Sequence, residues 1–257
     1  MKIITGSRLT KLSAVLCLFV SLIIGAAACH LIEFQPGEED AAAPQNAGAV
    51  APTATATPKT SESLDINRPR SEPYTGDLSI FEDENRAKSL QIERVMDVLK
   101  ISDGKAVADI GAGSGWFTAR AARRVGAKGK VFAVEINQEF INHINDRANK
   151  ENIANIQTVL GTEDDPKLPT KSVDAVLILK TYHEIAQPVK VLSNLRRALR
   201  PGALVGIIDK NGRGDDHGLD KETVAAEAKR AGFKLKEEFD FVKSDGIDYF
   251  LVFQAEK

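Results

Sequence analysis

Three regimes of hydrophobic and polar residues divide this chain. An apolar run from Leu12 to Ile24 stands behind Lys2, Arg8 and Lys11. Residues 33–75 hold few large apolar side chains, and from Leu78 onward apolar residues recur with short periods. Leu90, Ile92, Val95, Met96, Val98 and Leu99 fall mostly at helical spacing, which predicts a helix over 84–100 ended by Ser102-Asp-Gly104. Beyond it the chain alternates. Short runs at 106–110, 130–135, 156–160, 173–179 and 203–209, mostly rich in β-branched residues and bounded by turn residues, predict strands. Amphipathic stretches at 116–125, 138–149 (Phe140, Ile141, Ile144, Ala148) and 188–199 (Val189, Leu192, Leu195, Leu199) predict helices between them. A further helix over 220–231 precedes two strands, 233–241 and 248–254, joined around Ser244-Asp-Gly246 as an antiparallel hairpin. The pattern predicts an α/β fold: a doubly wound sheet of seven strands, mostly parallel, closed by an antiparallel C-terminal hairpin.

The ends of the pattern change the picture of the whole chain. Basic residues, an apolar run and then Gly25-Ala-Ala-Ala-Cys29 have the three parts of an export signal. Three fates stay open: lipidation at Cys29 as a lipoprotein, cleavage after Ala28, or retention as an N-terminal anchor. The first or the last ties the protein to a membrane. The Ala-, Pro- and Thr-rich stretch that follows cannot bury enough surface to offset its ordering entropy. The expected organisation is therefore a signal at 1–29, a disordered linker at 30–77 and one folded domain at 78–257. With 43% hydrophobic residues, a net charge of −2 and interspersed charges, the chain lacks the electrostatic footprint of a nucleic-acid binder. Both cysteines, Cys17 and Cys29, lie in the signal, which excludes thiol chemistry from the mature domain.

The stretch Val107-Ala-Asp-Ile-Gly-Ala-Gly-Ser-Gly-Trp-Phe117 reads as a buried strand, a glycine-rich turn and a helix start. Gly111 permits the tight turn, Gly113 lets a ligand approach the backbone, and Gly115 lets the helix pack closely. Free N–H groups at the helix start favour an anionic group. The dinucleotide pattern would place a third glycine where Trp116 stands, and no Gly-Lys-Ser/Thr follows as a phosphate loop requires. Glu135, closing the second predicted strand, is placed to accept hydrogen bonds from ribose hydroxyls.

At these residues the sequence resembles the class I S-adenosylmethionine-dependent methyltransferases, over roughly residues 78–257. Asp109-Ile-Gly-Ala-Gly-Ser-Gly115 looks like their first motif, Glu135 like their ribose-binding acid, and Leu199-Arg-Pro-Gly-Ala203 like the turn before their fifth strand. Gly161-Thr-Glu-Asp-Asp-Pro-Lys-Leu-Pro169 is similar to the segment that holds the adenine, although Thr162 stands where the common form has Asp. The resemblance implies a Rossmann-like fold and S-adenosylmethionine as cofactor. Its binding residues would be Asp109, Gly111, Ala112, Gly113, Gly115 and Glu135, with Glu163 and Asp164 on the adenine side.

The acceptor is then expected over the loop after the fourth strand, Lys180-Thr-Tyr-His-Glu-Ile185. His183 is the general-base candidate because imidazole titrates near neutrality. Glu184 is expected to orient it, bind a cationic substrate or cap the following helix, and Tyr182 to hydrogen-bond the acceptor or pack. No third ligand beside His183 and Glu184 is evident, so no metal is expected. The Asn/Asp-Pro-Pro-Tyr loop of nucleobase amino-methylating enzymes is missing, and arsenite methylation through several cysteines is excluded. The expected partner is a small-molecule or envelope methyl acceptor, methylated on oxygen, carbon or nitrogen, with no nucleic acid; oligomeric state is not legible. An NAD-linked oxidoreductase lacks its third glycine and, with Ala186 four residues after Tyr182, its Tyr-x-x-x-Lys pair. The competing reading from another class is an exported, non-catalytic ligand-binding protein on the same fold.

Overall fold

The structure, a computed structural model, describes residues 66–243 and 246–256. The expected signal, Cys29 and the linker up to residue 65 lie outside the described residues, as do Ser244 and Asp245 of the expected hairpin turn.

Seven strands form one sheet: β1 (Ala106–Ile110), β2 (Lys130–Glu135), β3 (Ile156–Leu160), β4 (Val173–Leu179), β5 (Leu199–Lys210), β6 (Phe233–Phe239) and β7 (Asp248–Ala255). Their order is β3-β2-β1-β4-β5-β7-β6, parallel throughout except that β7 runs antiparallel to both β5 and β6. This is the doubly wound, Rossmann-like arrangement with an antiparallel C-terminal pair. Among the described residues six α-helices accompany it: α1 (Arg86–Ser89), α2 (Ile92–Val98), α3 (Trp116–Val125), α4 (Gln138–Lys150), α5 (Pro188–Ala198) and α6 (Lys221–Arg230).

Strands sandwiched between helix layers read as continuous apolar runs, and β1 is buried at every position. Its alternate side chains serve two cores. Val107 faces Val95, Phe117 and Val125 of α2 and α3, while Ala108 and Ile110 face Val189, Leu192 and Val224 of α5 and α6. Strand order reverses between β1 and β4, which are neighbours from Val107↔Ala175 to Ile110↔Ile178. The crevice beyond their carboxyl ends is where a sheet of this kind takes its ligand.

Three local features depart from the sequence expectation. The helix foreseen over 84–100 breaks at Gln91, whose φ of 46° is left-handed and whose side-chain amide donates to the Phe241 carbonyl at 2.8 Å. The break lets Leu90, Ile92, Val95, Met96 and Leu99 all reach the core. The expected turn Leu199-Arg-Pro-Gly-Ala203 lies inside β5, as an irregularity between the pairs Val173↔Leu199 and Ala175↔Leu204. Finally, residues ahead of Leu78 lie against the domain. Arg68 Nε pairs with Glu227 Oε1 at 2.8 Å, and the buried Ser71 hydroxyl donates to the Gly214 carbonyl at 3.0 Å. Neither attachment is visible in composition, because each partner is more than a hundred residues away. Among the described residues no helix is long and apolar enough to cross a membrane.

Candidate active site

The turn after β1 is shaped by three glycines with φ of 70°, 55° and 73° at 111, 113 and 115. The Gly111 and Ala112 N–H groups both donate to the Val134 carbonyl, at 2.9 and 3.1 Å, which folds the turn back over β2. At Gly111 no side chain fits, since a Cβ would lie 2.3 Å from Thr181 Cγ2 in the loop after β4. Above Gly113 the nearest atoms are 3.9 Å away in the Phe81 ring, so its backbone is open on that side. Its N–H donates to Glu135 Oε1 at 2.7 Å, and Ile136 N–H donates to the other carboxylate oxygen at 3.0 Å.

Over the carboxyl ends of β1, β2 and β4 lies a cavity of about 860 Å³. Asp109, Gly111, Ala112, Gly113, Glu135 and Glu163 line it, together with His183 and Glu184. Three predicted residues do not. Gly115 faces α4 instead, where a Cβ would meet Ile144 Cγ1 at 3.3 Å, so its part is helix packing. Asp164 turns outward, its carboxylate accepting from Thr162 Oγ1 at 2.8 Å, and it is Thr162 with Glu163 that reaches the cavity. Tyr182 points to the opposite side of the loop, fully buried among Val189, Leu192 and Tyr249. Burial and the adjacent Glu227 carboxylate raise its phenol well above the usual value. Its three-residue 3-10 turn, Tyr182–Glu184, aims consecutive side chains in different directions, so Tyr182 is an anchor and His183 the side chain that reaches the cavity wall.

Buried ionisable groups dominate the end of the cavity beside the glycine turn. Asp109 is 2% exposed and accepts a 2.6 Å hydrogen bond from Thr118 Oγ1. Burial, together with the Glu135 charge, pushes its carboxyl up to about 7. Burial also raises Glu135, opposed by hydrogen bonds from the Gly113, Ile136 and Asn137 N–H groups. Arg86 lines the same cavity, lowered from the ordinary arginine range by burial, with its guanidinium 4.5 Å from the Trp116 ring centroid. Arg120 stacks on that indole at 3.9 Å. The segment before α1 is clamped over the turn, since Glu82 accepts from Ser114 Oγ and Arg147 Nη1, each at 2.7 Å.

At the other end of the cavity, His183 Nδ1 lies 2.9 Å from Asp209 Oδ1, and the His183 N–H donates to Asp209 Oδ2 at 3.0 Å. A carboxylate accepting from Nδ1–H fixes the tautomer that leaves Nε2 with a lone pair. Glu184 Oε1 is 3.8 Å from that Nε2, and burial pushes the Glu184 carboxyl up to about 7. The His217 ring, from the loop after β5, stands edge-on to His183 with centroids 5.9 Å apart. Arg86, Asp209 and His217 escaped the sequence reading. Only Asp209 carried a readable signal, an acid ending an apolar strand just as Glu135 does.

Residues 107–202 match a family model described as a methyltransferase domain. Among curated proteins, the ubiquinone/menaquinone biosynthesis C-methyltransferase UbiE of Idiomarina loihiensis is 28% identical over 115 residues, 44% of this chain and 46% of that protein. An arsenite methyltransferase of Halobacterium salinarum is 28% identical over 109 residues, 42% of this chain and 28% of that protein. The chain thus spans less than half the length of these relatives. Among solved structures, an S-adenosylmethionine-dependent methyltransferase from Aquifex aeolicus superposes with a TM-score of 0.64 at 24% identity, over 71% of this chain and all of that one. The [4+2]-cyclase SpnF superposes at 0.57 with 13% identity, over 75% of this chain and 87% of that one. Residues 107–202 thus resemble a methyltransferase domain, and the sheet that carries them has the fold of the Aquifex structure.

Proposed function

We propose that this protein moves the methyl group of S-adenosylmethionine onto a small-molecule or envelope acceptor held over the loop after β4. The observation that carries the reading is one cavity with two chemically distinct ends: Glu135 and the glycine turn at one, the His183–Asp209 pair at the other. The Glu135 carboxylate suits the ribose diol. Asp109 and Arg86 offer an anion and a cation to the ammonium and carboxylate of the methionyl end, and Thr162 and Glu163 flank the adenine side. Transfer is an in-line displacement. The acceptor lone pair takes the methyl carbon, the S–CH3 electron pair stays on sulfur, and the protein's work is alignment and proton loss. His183, held by Asp209, assists that proton loss, while Tyr182 supports the loop from the core.

The absence of cysteine after Cys29 disfavours the arsenite chemistry of the Halobacterium relative. The cyclase neighbour favours keeping a second reading, a non-catalytic or differently catalytic ligand-binding protein, because fold does not fix reaction. We place the domain in the cell envelope, anchored through Cys29, on the strength of the Gly25-Ala-Ala-Ala-Cys29 signal. Processing of the precursor that ignores globomycin would remove the lipid anchor.

The test is titration of the full chain with S-adenosylmethionine and with NAD, by calorimetry or by the emission of Trp116, the sole tryptophan. Binding of S-adenosylmethionine alone is expected. Neither heat nor a spectral change with it would refute the cofactor, and binding without methyl transfer to any acceptor pool would favour the second reading.

A further inference from the structure

The acceptor end holds more ligating chemistry than one general base requires. Ligand atoms of His183, Glu184 and His217 all lie within 4.8 Å of one another, on the wall of the cavity. We propose that His183 Nε2, the Glu184 carboxylate and a ring nitrogen of His217 bind one divalent transition-metal ion of the zinc type, with its open coordination positions facing the cavity.

Ligands about 2.0–2.2 Å from a tetrahedral ion stand roughly 3.3–3.6 Å apart. His183 Nε2 and Glu184 Oε1 are already at 3.8 Å. The remaining closure falls to His217, which is exposed, and not to His183, which is 4% exposed. The His183 orientation is the one that metal-binding imidazoles are given. A buried carboxylate accepts from Nδ1–H and fixes the ring and its tautomer. Asp209 does this while being held in turn by the N–H groups of His183 and Lys210, at 3.0 and 2.8 Å.

The third ligand is delivered by backbone that costs energy to hold. His217 has a φ of 56°, a conformation that side chains other than glycine rarely adopt. Its N–H donates to the Ser71 hydroxyl at 3.0 Å, and Ser71 donates to the Gly214 carbonyl, so a contact with the segment before the domain pins the left-handed residue. Strain retained at a cavity wall points to a function for the side chain it aims. The charge balance agrees. Glu184 and Asp209 bring two carboxylates to the group, and the Lys180 ammonium beside the loop is 2.5 Å from the buried Asp248.

What the ion does rests on the methyl-transfer reading. An acceptor hydroxyl at an open position has its O–H bond weakened, and the proton leaves to water. The freed lone pair takes the methyl carbon as the S–CH3 pair passes to sulfur. The assistance given to His183 above is then exerted through the ion.

The test uses the full, untagged chain, stripped with chelator and dialysed against Zn2+. About one equivalent retained is expected, and Co2+ in its place should give the visible absorption of a low-coordinate nitrogen–oxygen site. His217→Ala, at an exposed position, and Glu184→Gln should each weaken Zn2+ binding at least tenfold. Asp209→Asn, as a positioning change, should weaken it by about 10- to 100-fold. Replacing the other two histidines, as His30→Ala and His143→Ala, should not move it. No retained zinc, or zinc retained equally by His217→Ala and Glu184→Gln, overturns the site. S-adenosylmethionine binding is measured on the same samples. Cofactor without zinc defeats the site and spares the methyltransferase reading, and zinc without cofactor does the reverse.

Discussion

Replacing Asp109 by Asn should make the ligand-free protein more stable while weakening its hold on the cofactor. The carboxyl titrates near 3.8 when unfolded and near 7 in the fold, because burial and the Glu135 charge disfavour its ionised form. Between those values the native state keeps a proton that the unfolded state releases. Unfolding free energy therefore falls as pH rises, by about 1.4 kcal/mol per unit from this group alone. From pH 5 to pH 7 that amounts to roughly 2–3 kcal/mol, fully developed above the folded value. Asn has no such cost, and its oxygen can still accept the 2.6 Å bond from Thr118 Oγ1. Urea melts at pH 5, 6 and 7, followed by Trp116 emission, should show wild type losing stability relative to Asp109→Asn as pH rises. Calorimetry should show the variant losing about 1.5–3 kcal/mol of S-adenosylmethionine affinity, as for a deleted hydrogen bond to a charged group. Parallel pH dependences of the two proteins would refute the buried, ligand-awaiting anion, as would a variant that is less stable at pH 7.

Other consequences are equally direct. Glu135→Ala should cost about 1.5–3 kcal/mol of S-adenosylmethionine affinity by calorimetry, whereas His183→Ala should spare binding and abolish turnover; equal losses in both would contradict the two-ended cavity. Gly111→Ala should destabilise by about 1–3 kcal/mol, through a left-handed φ and a clash with Thr181; adding Thr181→Ala, which removes the closest atom, should recover part of it in the same melts. Arg68→Ala should cost about 3–5 kcal/mol because it strands Glu227, whose side chain is 5% exposed, and Arg68→Met with Glu227→Met should lose much less. Should Arg68→Ala melt like wild type, the segment before Leu78 would not be fastened to the domain.

The middle of the sheet was legible because β1, β2 and β4 are buried almost throughout. Short, largely apolar runs bounded by turn residues leave little freedom of reading, and β1 to β4 begin and end where the pattern places them. Elements that depend on a distant partner were not legible. Gln91 breaks its helix by reaching Phe241, a hundred and fifty residues on, and nothing in the helical spacing of Leu90 to Leu99 records that contact. Likewise Leu199-Arg-Pro-Gly-Ala203 carries the chemistry of a turn, yet pairing with β4 on either side draws it into β5 as an irregularity.

The same distinction divides the site. Its cofactor end is built from one contiguous strand–turn–helix plus the acid ending the adjacent strand, so Asp109, Gly111, Gly113 and Glu135 come to the cavity by local geometry that a sequence displays. Gly115 and Asp164 drop out for a reason equally local. A turn has two sides, and residue spacing alone does not say which faces the ligand. The acceptor end is assembled across the sheet instead. His183 comes from the loop after β4, Asp209 from the end of β5, and His217 from a left-handed residue whose N–H is held by Ser71. Sequence singles out the histidine but cannot supply its partners, because the distances that matter here, 2.9 Å to Asp209 and 5.9 Å between the two rings, follow from the pairing of β5 with β4 and β7. An acceptor end made this way can change its chemistry without disturbing the cofactor end. On the methyl-transfer reading, the acceptor of this protein is therefore to be sought through His183, Glu184 and His217.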